Sequence, residues 1–122
     1  MTVARVLVFT PDLLFGSSLL GALRAGGHDA VMCPTPEALA AEASGAAAVI
    51  VDLTDEAEVR AAQLGGLRDE GALVGVPALG YHSHVDPASR DTALEAGLER
   101  VVPRSRMHRE PAALVESLLA AD

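Results

Sequence analysis

Short apolar runs rich in valine recur every twenty-odd residues along this chain, and they constrain its fold more than any other feature. Ala4 to Phe9 (ARVLVF) and Ala46 to Val51 (AAAVIV) are the clearest, with weaker versions at Asp29 to Met32, Leu73 to Leu79 and Arg100 to Val102. None alternates apolar with polar residues, which is the pattern of strands buried on both faces of a parallel sheet. Helical patterns separate them: Asp12 to Ala25, Pro36 to Ala43, Asp55 to Arg68, Pro87 to Ala96 and Glu110 to Ala121. Five β-α repeats predict an α/β domain, with right-handed crossovers and helices on both faces of a parallel sheet.

The punctuation agrees with this layout. Thr10-Pro11, Thr35-Pro36, Asp86-Pro87 and Glu110-Pro111 each put proline after a polar residue, as suits the first turn of a helix. Thr10, Thr35 and Asp86 are read as N-caps and Glu110 as a poorer one, while Gly26-Gly27 and Gly97 mark helix ends. No linker, low-complexity stretch or further repeat divides the chain, so residues 1–122 are read as one domain. A domain of this size buries roughly two-thirds of its unfolded surface without disulfides or metal. With two Phe and one Tyr, its core must come from Ala, Val and Leu, and little aromatic surface is left for stacking a flavin or a base.

Charge narrows the partners. Nine basic residues against 17 acidic ones give a formal net charge of −8, which repels nucleic acid and anionic lipid, and no apolar run is long enough to span a membrane. A single cysteine, Cys33, and a start too short and strand-like for a signal peptide predict a reducing cytoplasm. All nine basic residues are arginine, so no step that needs a titratable or Schiff-base lysine is open to the chain. In an open α/β sheet, ligands bind beyond the carboxyl ends of the strands. Those ends carry Thr10-Pro11-Asp12, Asp52-Leu53-Thr54, the loop Gly80 to Asp86 (GYHSHVD) and Pro103-Arg104-Ser105-Arg106.

With these segments in place, the chain resembles the receiver domain of bacterial response regulators from Arg5 to the last helix. The resemblance implies a doubly wound, flavodoxin-like (βα)5 fold with strand order 2-1-3-4-5. It also implies a site of two adjacent acids for Mg²⁺ after the first strand, a phospho-accepting Asp ending the third, a Thr or Ser after the fourth and a Lys-Pro after the fifth. Carried over, the phospho-acceptor falls on Asp52 in VIVDLT, a good match in position and in the preceding apolar run. The acidic pair falls on Thr10 and Pro11, the Thr/Ser position on His82 or Ser83, and the lysine on Arg104, followed by Ser105.

Transferring a phosphoryl group to a carboxylate brings anionic oxygens up to an anion, and a carboxylate-held divalent ion offsets that repulsion. Thr10 and Pro11 supply no charge for such an ion. Asp12 is read as a residue of the first helical turn, where it complements the helix dipole, with the role of sole acidic metal ligand as the rival. After Asp52, Thr54-Asp55-Glu56 leads straight into a helix and adds further negative charge. No metal site is expected, and Mg²⁺ binding is read as degraded. Arg104 is expected beside Asp52, where two parallel hydrogen bonds would make a fixed substitute for the phosphorylated state, against a solvent-facing Asp52 with no role.

The remaining features have competing readings. GYHSHVDP together with VVPRSR is similar to a group of small divergent receiver-like proteins, which implies an interaction module or constitutive adaptor. Arg100, Arg104, Arg106 and Arg109 form the candidate partner contact, against a role in neutralising Glu99, Glu110 and the strand ends. In receivers the surface of the fourth helix, fifth strand and fifth helix often mediates dimerisation or output. Here it would include Arg90, Leu94 and Arg100, and a homodimer is among the arrangements it implies. His82, His84 and Asp86 have a spacing open to metal ligation, but Asp86 is better explained as an N-cap and the histidines as loop residues, either of which could titrate near neutral pH. Cys33 is expected in the core, and Gly16-Ser17-Ser18 lacks the arrangement of a phosphate-cradling loop.

Three functional readings follow. The first is a stand-alone receiver-like signalling domain that is not an enzyme and acts through protein contacts without Mg²⁺-dependent phosphorylation. The others are a phosphorylatable single-domain regulator with Asp52 as acceptor, and an anion or small-molecule sensor at a pocket of Asp52, Ser83 and Arg104, bordered by Thr10, Asp12 and His82.

Overall fold

The computed structural model describes residues 3–83 and 87–120, apart from the Ser89 side chain. Its elements run β1 (Arg5–Phe9), α1 (Leu13–Ala25), β2 (Asp29–Cys33), α2 (Pro36–Ala41), β3 (Ala48–Asp52), α3 (Ala57–Asp69), β4 (Ala78–His82), α4 (Pro87–Glu95), β5 (Arg100–Pro103), α5 (Arg104–Arg109) and α6 (Pro111–Ala120). The strands form one parallel sheet in the order β2-β1-β3-β4-β5, as the receiver resemblance implies.

Side-chain alternation along the buried strands builds two cores. Val6, Val8, Ile50 and Tyr81 pack with Phe15, Leu19 and Leu23 of α1, Met107 of α5, and Leu114, Val115 and Leu118 of α6. Leu7, Phe9, Val49 and Val51 pack on the other face with Leu39 of α2, Leu64 and Leu67 of α3 and Ala93 of α4. Cys33 belongs to this second core. Thr10 and Asp52 continue the alternation of Val8 and Ile50, so both side chains fall on the α1 side of the sheet.

Two local readings are corrected and one element is added. The fourth strand is not Leu73–Leu79 but Ala78–His82. Gly71 and Gly75 have φ of 87° and 78°, Pro77 has no amide to donate, and Leu73 seals the core from a turn that leaves Val74 exposed. Thr10 does not cap α1; Asp12 does, its Oδ1 accepting from the Phe15 amide at 3.1 Å. Arg104 to Arg109 make a short helix before α6 that the sequence pattern did not anticipate. Thr35 caps α2 as expected, whereas His84 and Asp86 lie outside the described residues.

Candidate functional site

At the carboxyl edge of the sheet, Asp52 ends β3 and is only 3% exposed. Burying a carboxylate is costly unless hydrogen bonds replace its water, and three donors do so here. The Thr10 hydroxyl donates to Oδ2 at 2.6 Å, while the Thr54 amide (2.8 Å) and hydroxyl donate to Oδ1. Thr10 is fully buried and accepts in turn from the Asp12 amide at 3.0 Å, which ties Asp52 to the start of α1. This closeness depends on Gly16, where a Cβ would stand 2.5 Å from Met32 Cε and 3.1 Å from Thr10 Cγ2. Gly16 is therefore a packing residue.

Arg60 reaches the same strand end from the opposite face. Its Nη1 donates to the carbonyls of Asp52 (2.9 Å) and Asp55 (2.6 Å), and its guanidinium lies 5.9 Å from the centroid of the Phe9 ring. It is 8% exposed, and among the described residues no carboxylate lies within ion-pair distance of it. The loop it clamps contains Glu56 at φ 50°, a left-handed conformation uncommon for a residue with a Cβ. The buried Tyr81, paired in register with Asp52, completes the pocket. Its hydroxyl meets hydrogen-bond geometry with no described group, and burial pushes its ionisation well above the usual range, with the Asp52 charge adding to the shift and Thr10 and Arg104 opposing it.

The expected Asp52–Arg104 pair does not form. Arg104 opens α5, where its guanidinium carbon lies 4.0 Å from the Phe15 ring centroid and Nη2 stands 3.5 Å from Asp12 Oδ2. The two charges are separated because Asp52 is turned inward to its hydroxyl donors while Arg104 is held outside by a ring. The pocket proposed from Asp52, Ser83 and Arg104 divides accordingly. Ser83 and Arg104 line a cleft of about 460 Å³ with Phe15, Ser105 and His108, and Asp52 is not among its lining residues. His82 ends β4, half-buried, on the wall of a separate cleft between α3 and α4.

The arginine cluster is partly satisfied within the chain. Arg106 pairs with Glu110 at 2.7 Å and holds its carboxyl below the usual range, and Arg100 donates to the Ser117 hydroxyl at 3.3 Å. Glu99 is engaged elsewhere, accepting from Arg68 (3.0 Å) and from the Ala78 amide (2.6 Å). Arg109 is exposed.

Sequence reasoning missed Arg60, Phe15 and His108, and the role of Thr54 as a donor to Asp52. Arg60 carried a signal, since it interrupts the apolar stripe of Ala57, Ala61, Leu64 and Leu67 on one face of α3. Asp52-x-Thr54 likewise has the spacing of a side chain that accepts from the amide two residues on.

No protein-family model and no curated protein matches the chain. Solved structures do: chemotaxis protein CheY4 of Vibrio cholerae (TM-score 0.84, 12% identity, 97% of this chain and 100% of that one) and a response regulator from Thermotoga maritima (0.82, 13%, 98% and 100%). A putative response regulator from Chloroflexus aurantiacus aligns similarly (0.83, 17%, 98% and 99%). At these identities the likeness shows the fold alone: with the strand order already given, the chain has the flavodoxin-like architecture that receiver domains share.

Proposed function

We propose that this chain is a receiver-like signalling module, not an enzyme, that acts in the bacterial cytoplasm by contact with a protein partner and without Mg²⁺-dependent phosphorylation of Asp52. The observation that carries this reading is the enclosure of the Asp52 carboxylate by the Thr10 hydroxyl and by the amide and hydroxyl of Thr54. A nucleophilic oxygen must present a lone pair to the incoming phosphorus, and a cation must offset the meeting of two anions. Here the oxygens accept from buried donors and are closed off from solvent.

The donor set also fits Mg²⁺ poorly. Thr10 commits its hydroxyl to Asp52 and Asp12 caps α1 while facing Arg104, which leaves Asp52 as the one buried carboxylate among the described residues of the pocket, against the several oxygen ligands a Mg²⁺ site requires. A fixed arrangement of this kind suits a module whose surface is read in one state. The partner contact falls to the basic segment of Arg100, Arg104, Arg106 and Arg109, which stands out against the net charge of −8.

Intact-mass spectrometry after incubation with acetyl phosphate and Mg²⁺ tests the reading. No added phosphoryl mass is expected. A stoichiometric, hydroxylamine-sensitive adduct that disappears in Asp52→Ala would establish the phosphorylatable regulator instead.

A further inference from the structure

The cleft of Phe15, Ser83, Arg104, Ser105 and His108 takes no part in holding Asp52, and its chemistry differs from that pocket. In a chain of net charge −8, none of its described lining residues is acidic. Two are cationic or able to become so, and two offer hydroxyls. Phe15 organises them: the guanidinium of Arg104 lies 4.0 Å from its ring centroid, and the His108 ring stacks on it at 5.9 Å with 29° between planes. Arg104 and His108 stand four residues apart on α5, so both project to the same side of that helix.

An arginine positioned by a ring face keeps its N–H donors for something else. The only carboxylate within ion-pair distance of Arg104 among the described residues is Asp12, at 3.5 Å, the outer limit of a hydrogen bond. Both side chains are close to half exposed, at 44% and 43%, and a solvated pair of that kind yields readily to a competing anion. Asp12 is held independently by its other oxygen, which caps the Phe15 amide, so losing Arg104 would not undo α1.

We propose that this cleft reversibly binds the phosphoryl group of a small molecule, with Arg104 donating two N–H groups, Ser83 and Ser105 their hydroxyls, and His108 a ring N–H, while the buried Phe15 ring holds Arg104 and His108 in place. No bond is made or broken, and Asp52 has no role. The site is therefore independent of whether Asp52 can be phosphorylated. The same chemistry would accept inorganic phosphate or an organic phosphate monoester.

The test is an amide NMR titration at constant ionic strength with inorganic phosphate in one arm and phenyl phosphate in the other. Saturable shifts at Phe15, Ser83, Arg104, Ser105 and His108 are expected in both arms. Arg104→Ala should weaken binding by roughly tenfold or more through loss of the charge-assisted pair. Ser105→Asp, which sets a carboxylate in the cleft without touching the core, should abolish it. Asp52→Asn should leave it unchanged. Absence of saturation in both arms overturns the proposal, as does binding that survives both Arg104→Ala and Ser105→Asp. Binding that disappears in Asp52→Asn while both cleft variants retain it would place the anion at Asp52 and overturn it equally.

Discussion

The two edges of the sheet treat positive charge differently. At the amino edge Arg5 meets the carboxylates of Asp29 and Glu42, and Arg68 meets Glu99 at 3.0 Å together with the carbonyls of Val76 and Gly97. His28, also buried there, accepts from the Ala4 amide on Nδ1, so its Nε2 carries the proton directed at Glu116 2.8 Å away. At the carboxyl edge Arg60 is held by carbonyls and a ring, and Arg104 by a ring and a long contact to Asp12. Closely paired charges tie loops to strands at the first edge, whereas at the second Arg60 and Arg104 have no close anion among the described residues. Asp52, the one buried carboxylate among the described residues, is satisfied there by hydroxyls and an amide, not by either arginine.

Breaking the carboxyl edge should therefore cost most where a group is buried. Arg60→Ala strips two carbonyls of their donor and opens space over Phe9, and a loss of about 2–4 kcal/mol is expected in urea unfolding. Arg60→Met, which keeps most of the volume, should lose less. A loss no greater than that of an exposed arginine would show that the clamp is incidental. Thr10→Val keeps the shape but leaves the buried Asp52 Oδ2 without its donor, for an expected loss of about 1–3 kcal/mol by the same measurement.

Alkaline pH probes both cores. Burial, reinforced by the charge of Glu42 and opposed by Arg5, raises the Cys33 thiol from its ordinary 9.0 to about 11. The folded state then holds the proton longer than the unfolded chain, so stability falls as pH rises through the window from 9.0 to about 11. Tyr81, also raised, adds to the decline above its ordinary value near 10. Thermal melts across this range should show the fall, and Cys33→Ala should flatten its lower part. Arg104→Ala should be the mildest change, within about 1 kcal/mol, since the contact to Asp12 is exposed. A larger loss in thermal melts would mean that the edge is tied as tightly as its opposite.

Fold and site were legible to different degrees for physical reasons. Buried parallel strands announce themselves as apolar runs, and Ala4 to Phe9 and Ala46 to Val51 lie on β1 and β3 to within two residues. Leu73 to Leu79 misled because Leu73 is as buried as a strand residue while belonging to a turn. Asp52 was found as a strand-end acid on a resemblance, but its surroundings were not. A hydroxyl at position 10 reads equally as a helix cap or as a donor to a side chain 42 residues away, and only the sheet register decides between them. Arg104 was assigned to Asp52 by position, whereas the side chain followed Phe15, whose role as a platform depends on how α1 packs against α5.

The central claim is that Asp52 is a closed carboxylate. Amide NMR of the protein with Mg²⁺ and then beryllofluoride, a mimic of the phosphoryl group, tests it most directly through Thr10, Asp52 and Thr54. The account predicts no saturable shift at these three residues in either step. Saturation with Mg²⁺ followed by a second set of resonances with beryllofluoride would contradict it, because the hydroxyls would then have given way to a metal and a working acceptor.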